Sequence, residues 1–322
     1  MRMIVCEEFG PPSSLKEIDA PRPEPSEGQV LVRVEATGIG FADGLVIQGK
    51  YQVKPPLPFV PGGDFAGTVE AVGPQVSKFR PGDAVFGSYL GALADFVCAP
   101  QTSCFARPAS LSGAQAASLY DNYFTALLGL RNRGALQPEE TLLVLGASGG
   151  VGTAAIAVAK AIGARVIGAA STPAKRATAE AVGADATVDY TEENWRESLK
   201  ALTPNGLDVV YDPVGGDVAE PAFRSLAPGG RHLVVGFASG TIPRLPFNLA
   251  LLKRASLVGV DWGGESINNP ETVQELAVVL IDWIEQGRLQ VAPITERPAS
   301  EFVQAFEDQL AGRIQGKLVL TR

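Results

Sequence analysis

Hydrophobic positions follow two regimes along the chain. Up to about residue 110 they come in short runs, Val30 to Glu35, Ala66 to Val72, Ala84 to Gly87 and Ala94 to Ala99, cut by turn signals such as Pro81-Gly82-Asp83 and Val72-Gly73-Pro74. Many short strands with frequent turns predict a compact, partly open β-barrel. The loops Thr37 to Leu57 and Pro61 to Phe65 interrupt it, and loops on a rigid scaffold are where chemistry tends to sit. From Ser112 to Gly129 the pattern turns helical, with Ser112 a candidate N-cap and Leu119, Tyr123, Ala126 and Leu130 at helical spacing. This helix is expected to bridge two domains. Residues 141 to 260 then alternate apolar runs at 142–145, 165–169, 208–211, 231–236 and 256–260 with helical stretches, the mark of a doubly wound parallel sheet. Pro270 to Gln286 predicts a long helix with Val273, Leu276, Val279, Leu280 and Trp283 on its apolar face and Gly287 as a C-cap. Ser300 to Leu310 predicts another, and Val291 to Ile294 and Lys317 to Leu320 read as short strands that return to the first domain. The expected division is an α/β chain with 1–122 and 267–322 in one domain and 123–266 inserted as the other.

One stretch organises the inserted domain. In TLLVLGASGGVGTAAIAVAKA, Thr141 to Ala161, a run that reads as a strand buried on both faces meets a glycine turn and then an Ala-rich helix. Gly146, Gly149, Gly150 and Gly152 leave the turn nearly free of side chains, so a pyrophosphate can approach the main chain while the first N–H groups of the helix point at it. A second strand, Arg165 to Ala169, completes a βαβ unit, and that context favours a dinucleotide site over a plain tight turn.

The end of that second strand bears on which dinucleotide. Sites selective for NAD carry an acidic residue there to hold the ribose 2′-hydroxyl. Here Ser171-Thr172-Pro173 follows, with Lys175 and Arg176 at the start of a helix capped by Ser171 or Thr172. Cations and amides converging on one anion point to NADPH; the alternative is two solvated charges on an exposed helix.

Composition narrows the partners. The 322 residues are 46% hydrophobic and 19% charged, the balance of a globular protein, and no apolar run reaches the length of a bilayer crossing. The opening MRMIVCEEFG has acidic residues where a secretory signal would continue its apolar core, so a cytoplasmic location is expected. A net charge of −8 disfavours nucleic acid and anionic lipid. Cys6, Cys98 and Cys104 lack paired spacing and read as small hydrophobes, and His232, the only histidine, stands at the start of an apolar strand where a structural role is commoner than a catalytic one.

With these motifs in view, the chain resembles the zinc-free NADPH:quinone oxidoreductases (zeta-crystallin-like) of the medium-chain dehydrogenase/reductase superfamily. The resemblance spans the chain through GIGFADGLVIQGKYQ (38–52), PFVPGGDFAGTVEAVG (58–73), FRPGDAVFG (79–87), LGASGGVG (145–152), VVYDPVGG (209–216), GGRHLVVGFASG (229–240) and GKLVL (316–320). It implies a GroES-like barrel, a Rossmann domain and an active site in the cleft between them. Zinc-dependent members place ligands at positions matching Gly40, Gly63 and Asp121; two glycines offer no donor, so no metal is expected. Quinone reductases commonly carry asparagine at the position of Gly40, and its absence leaves the acceptor open.

The resemblance puts the pyrophosphate on Ala147, Ser148, Gly149, Gly150 and Val151, and Thr125 near the nicotinamide unless its hydroxyl bonds its own helix. Phe237, Ala238 and Ser239 border the cofactor, Ser171, Lys175 and Tyr190 match residues that contact the 2′-phosphate, and Arg176 and Lys317 join the cofactor-binding set. Tyr51 either lines the substrate pocket or packs, and Tyr51, Tyr123 and Asp121 are the catalytic candidates, with Asp43 orienting its loop. The implied activity is NADPH-dependent reduction of a quinone or enone; reduction of an enoyl thioester, or a catalytically silent crystallin-like NADPH-binding role, are the alternatives. A homodimer is expected, with Leu257 to Val260 as a pairing edge.

Overall fold

The computed structural model describes all 322 residues and divides into two compact units, Met1–Asp121 with Ile294–Arg322, and Asn122–Pro293. The return to the first unit thus falls at Ile294, later than the expected 267. The helix Pro270–Glu285 stays with the second unit because it packs on the helix Trp262–Asn268 and Arg131 Nη1 donates to Glu275 at 2.8 Å.

The second unit is built on six parallel strands in the spatial order Ala186–Val188, Arg165–Ala169, Thr141–Leu145, Leu207–Asp212, Leu226–Val234, Ser256–Gly259. The order runs backward and then forward from Thr141–Leu145, so the sheet has its switch point between that strand and Leu207–Asp212. Ligands of such sheets bind at the carboxyl ends of the strands there. Leu142 to Leu145 are fully buried, as a continuous apolar run in a parallel sheet requires. Leu143, Ile167, Val210, Trp195, Leu199 and Phe223 share one core, each such side chain contributing about 1.5–3 kcal/mol on full burial. The strand Ala186–Val188 has only three residues, too short to leave a periodic signal.

In the first unit the long strand Gln29–Ile39 is the spine. Asp64–Val72 pairs along one edge; Phe96–Pro100 takes the first half of the other edge and Lys317–Thr321 the second. Ala84–Ser88, Cys104–Ala106 and Ile294–Pro298 extend the sheet without closing it. Register shifts at Leu31/Val32 and Val34/Ala36 bend the spine, the means by which a sheet curls toward a barrel. The strand expected at Val291 to Ile294 lies further on, at Ile294–Pro298.

The expected bridging helix is broken. Gly113–Ala116, with Ser112 as a capping box, is followed by a turn, Tyr120–Leu127, and a π-helical segment Leu128–Arg133. The unit boundary falls just after Tyr120–Leu127 begins. No helix is long and apolar enough to cross a membrane.

Candidate active site

Strand Thr141–Leu145 delivers the chain into the glycine turn, and the helix Gly150–Ile162 leaves it with Gly149 as a cap that has no side chain. The helix dipole and the first-turn N–H groups are therefore uncapped by protein, unlike the helices begun by Ser112 and Thr172. Gly152 is needed for the close packing beneath: a Cβ there would sit 2.3 Å from Gly146 O. Ala147 and Ser148 are buried, Gly149, Gly150 and Val151 half-buried. Ala147 N donates to Ala169 O at 3.1 Å and Gly149 N to Gly146 O at 3.0 Å, so the donors left for an anion are the first-turn amides that follow Gly149, and a helix N-terminus without a side-chain cap fits a phosphate group.

At the end of strand Arg165–Ala169, Thr172 caps the helix Pro173–Val182, its hydroxyl accepting from Lys175 N at 3.3 Å. Ser171 hydrogen-bonds the Tyr190 phenol, whose pKa burial nonetheless pushes up. Arg176 pairs with Asp189, so its charge is compensated within the fold, whereas Lys175 enters no ion pair. The resemblance matched Lys175 to a phosphate contact, and the structure gives Arg176 an internal partner in Asp189.

Phe237, Ala238 and Ser239 are exposed in the segment that follows strand Leu226–Val234, at the carboxyl end of the sheet. Thr125 is buried on the helix Tyr120–Leu127. Tyr123, on the same helix, is 2% exposed, and its oxygen accepts the Ala292 N–H at 2.7 Å. Burial drives that phenol's pKa up, so it stays protonated, with its oxygen committed to the backbone.

In the first unit a charged cluster surrounds Gly40. Lys317 opens a strand antiparallel to Gln29–Ile39, and its stem crosses Gly38, where a Cβ would fall 2.9 Å from Cε. Its Nζ donates to Asp64 Oδ2 at 2.9 Å, and both side chains are 4% exposed. Burial works against the charge, but Asp64, then Asp121 and Asp43, more than offset it and hold the amino group above its ordinary range. Lys317, expected among the cofactor-binding residues, is ion-paired with Asp64. Asp43 Oδ2 accepts the Gly40 N–H at 2.7 Å, the loop-orienting role its position suggested. Burial raises the Asp43 pKa to about 6 against the opposing pull of Lys317 and the Gly40 N–H. Asp121 N donates to the same Asp64 oxygen at 3.3 Å. Asp64 escaped the sequence reading; the only signal was a carboxylate at the start of a strand, next to the apolar run Phe65-Ala66-Gly67. Tyr51 is half-buried in the irregular segment after the helix Phe41–Ile47. No group of three or more His, Cys, Asp and Glu side chains is arranged to hold a metal ion.

Comparison with known proteins agrees with this layout. The family described as alcohol dehydrogenase GroES-like domain matches residues 26–121, and that described as zinc-binding dehydrogenase matches 150–282. Quinone oxidoreductase-like protein 2 of Rattus norvegicus is 42% identical over 99% of this chain and 92% of its own. Among solved structures, Escherichia coli quinone oxidoreductase complexed with NADPH superimposes with a TM-score of 0.91 at 29% identity over the whole of both chains. CurK enoyl reductase gives 0.90 at 25% identity, covering 99% of this chain and 98% of that one.

Proposed function

Since the chain belongs to the medium-chain dehydrogenase/reductase superfamily, in its quinone oxidoreductase-like family, we propose that it reduces a quinone or an α,β-unsaturated carbonyl with NADPH. The observation that carries the cofactor choice is Lys175, in no ion pair in the first turn of the helix Pro173–Val182, with no acidic side chain at the end of the preceding strand Arg165–Ala169. The amides of Gly150, Val151 and Gly152 hold the pyrophosphate, and Ala147, Ser148 and Gly149 shape the turn beneath it. Ser171, Lys175 and Tyr190 hold the 2′-phosphate, and Arg176 shapes that pocket through Asp189. Thr125, Phe237, Ala238 and Ser239 border the nicotinamide.

When bound, NADPH supplies the hydride, and a quinone or enone is already electrophilic enough to accept it without a metal. The chain's own residues orient the acceptor, exclude water and stabilise the developing oxyanion. Tyr51 is the donor we assign to that oxyanion, with Tyr123 and Asp121 supporting the site rather than reacting. Lys317 orders the Gly40 loop from beneath through Asp64 and Asp43. The likeness to an enoyl reductase favours enoyl thioesters as a second acceptor class. Following NADPH oxidation with quinones, alkenals and enoyl thioesters tests the proposal: turnover with the first two supports it, turnover only with thioesters favours the second reading, and none at all points to a silent NADPH-binding role. We further propose a cytoplasmic homodimer paired through the edge strand Ser256–Gly259, where Leu257 is 44% exposed; a monomer by light scattering would contradict it.

A further inference from the structure

His232, the chain's sole histidine, is 2% exposed, and its Nε2 lies 2.9 Å from Asp212 Oδ2. Asp212 is equally buried, and its other oxygen, Oδ1, accepts the N–H groups of Val214 at 2.9 Å and Gly215 at 2.8 Å. One carboxylate therefore joins the body of strand Leu226–Val234 to the turn that follows strand Leu207–Asp212. That turn is stitched in its own right to the segment after the next strand. Ala238 N donates to Pro213 O, Ser239 N to Val214 O and Gly216 N to Thr241 O, each at 3.0 Å, while Asp212 O accepts from Val235 N at 2.9 Å. Two loops at the carboxyl end of the sheet thus form one unit, and its only buried side-chain anchor among these bonds is Asp212.

The imidazole is specified on one side only. Its Nδ1 has no partner, so a proton there would be a buried orphan donor, while a bare lone pair is cheaper to leave. The tautomer with hydrogen on Nε2 follows, and His232 donates to Asp212. The Phe223 ring packs against the imidazole, 6.0 Å between centroids and tilted by 31°.

We infer that the His232–Asp212 pair is a positioning device that fixes the Pro213–Gly216 turn as the bed for Phe237, Ala238 and Ser239, and so sets where the nicotinamide end of the cofactor lies. The identity of that ligand rests on the function proposed above; the mechanical coupling does not. His232 touches no reacting atom. It acts through Asp212, and it should govern turnover more than affinity, because the adenosine end has its own contacts at Ser171, Lys175 and Tyr190.

The test uses the full-length protein and the fact that it has one histidine. In 15N-labelled protein at about pH 8 the single imidazole should show a protonated Nε2 and a bare Nδ1. His232→Leu should lower kcat by roughly tenfold or more while the NADPH Kd moves by less than about threefold, and His232→Gln, which restores an N–H donor, should recover most of the loss. Amide exchange in His232→Leu should quicken at Val214, Gly215, Ala238 and Ser239 and stay unchanged in Thr141–Leu145. If the leucine variant does not fold, His232→Asn, whose amide is too short to reach Asp212, is expected to show the same losses. Wild-type kcat and exchange in the variants, a uniform loosening of the whole sheet, or a glutamine variant no better than leucine would overturn the inference. A wild type that oxidises NADPH with none of the quinones, alkenals and enoyl thioesters would overturn the proposed function instead, and the exchange pattern would then decide the inference alone.

Discussion

Lys317 Nζ lies 2.9 Å from Asp64 Oδ2, both side chains 4% exposed and 253 positions apart in the chain. Breaking a buried pair by removing one partner strands the other charge and costs about 3–5 kcal/mol, whereas replacing both with apolar groups is often neutral. Lys317→Met is therefore expected to lose about that much stability in urea unfolding, and Lys317→Met with Asp64→Leu to regain most of it. A single variant as stable as wild type would show that the pair carries no such load.

Asp43 gives the stability a pH dependence of defined sign. Its pKa in the fold is raised from 3.8 to about 6, so its contribution is fully present below about pH 4 and is lost as pH rises through about 6. A shift of that size corresponds to about 3 kcal/mol. Asp43→Asn keeps an acceptor for the Gly40 N–H, so it should match wild type below about pH 4 and exceed it above about pH 6. Unfolding midpoints of both proteins across that range check this, and parallel profiles would contradict it.

Activity should be independent of zinc. Gly40 and Gly63 offer no side-chain donor, and the Lys317 ammonium is held among Asp64, Asp121 and Asp43, where it would repel a metal cation. Elemental analysis of active protein and assay after chelation test this; one tightly bound zinc per chain, with activity lost on its removal, would refute it.

Replacing Tyr51 by Phe should alter turnover or acceptor preference more than cofactor affinity, since a hydrogen bond to developing negative charge acts on the transition state. A lost donor of this kind is worth about 2.7–4 kcal/mol, or a hundredfold to a thousandfold in kcat, when it is the main one. Wild-type kinetics with every accepted substrate would make Tyr51 a packing residue.

The parts legible in the sequence were those with local causes. The parallel strands announced themselves as continuous apolar runs, and the glycine turn, the Thr172 cap and the long helix Pro270–Glu285 each depend on neighbours within a few residues. What escaped depends on distant partners. Asp64 and Lys317 meet only because their strands flank Gln29–Ile39, and nothing in either motif names the other. Arg176 stands beside Lys175 in the chain, and that Asp189 pairs with the first and not the second depends on how the chain returns 13 residues on. The break after Gly113–Ala116 lay inside a stretch whose apolar spacing continued across it, and periodicity alone does not register a turn of that kind. His232 read as structural, and its bond to Asp212 gives that role a mechanism.

The most direct test of the account is the pair of dissociation constants for NADPH and NADH, measured at fixed salt on wild type and Lys175→Ala. A charged hydrogen bond contributes about 1.5–3 kcal/mol, so the variant should bind NADPH roughly ten- to a hundredfold more weakly while NADH affinity barely changes. Equal losses for both cofactors, or a wild type that prefers NADH, would contradict it.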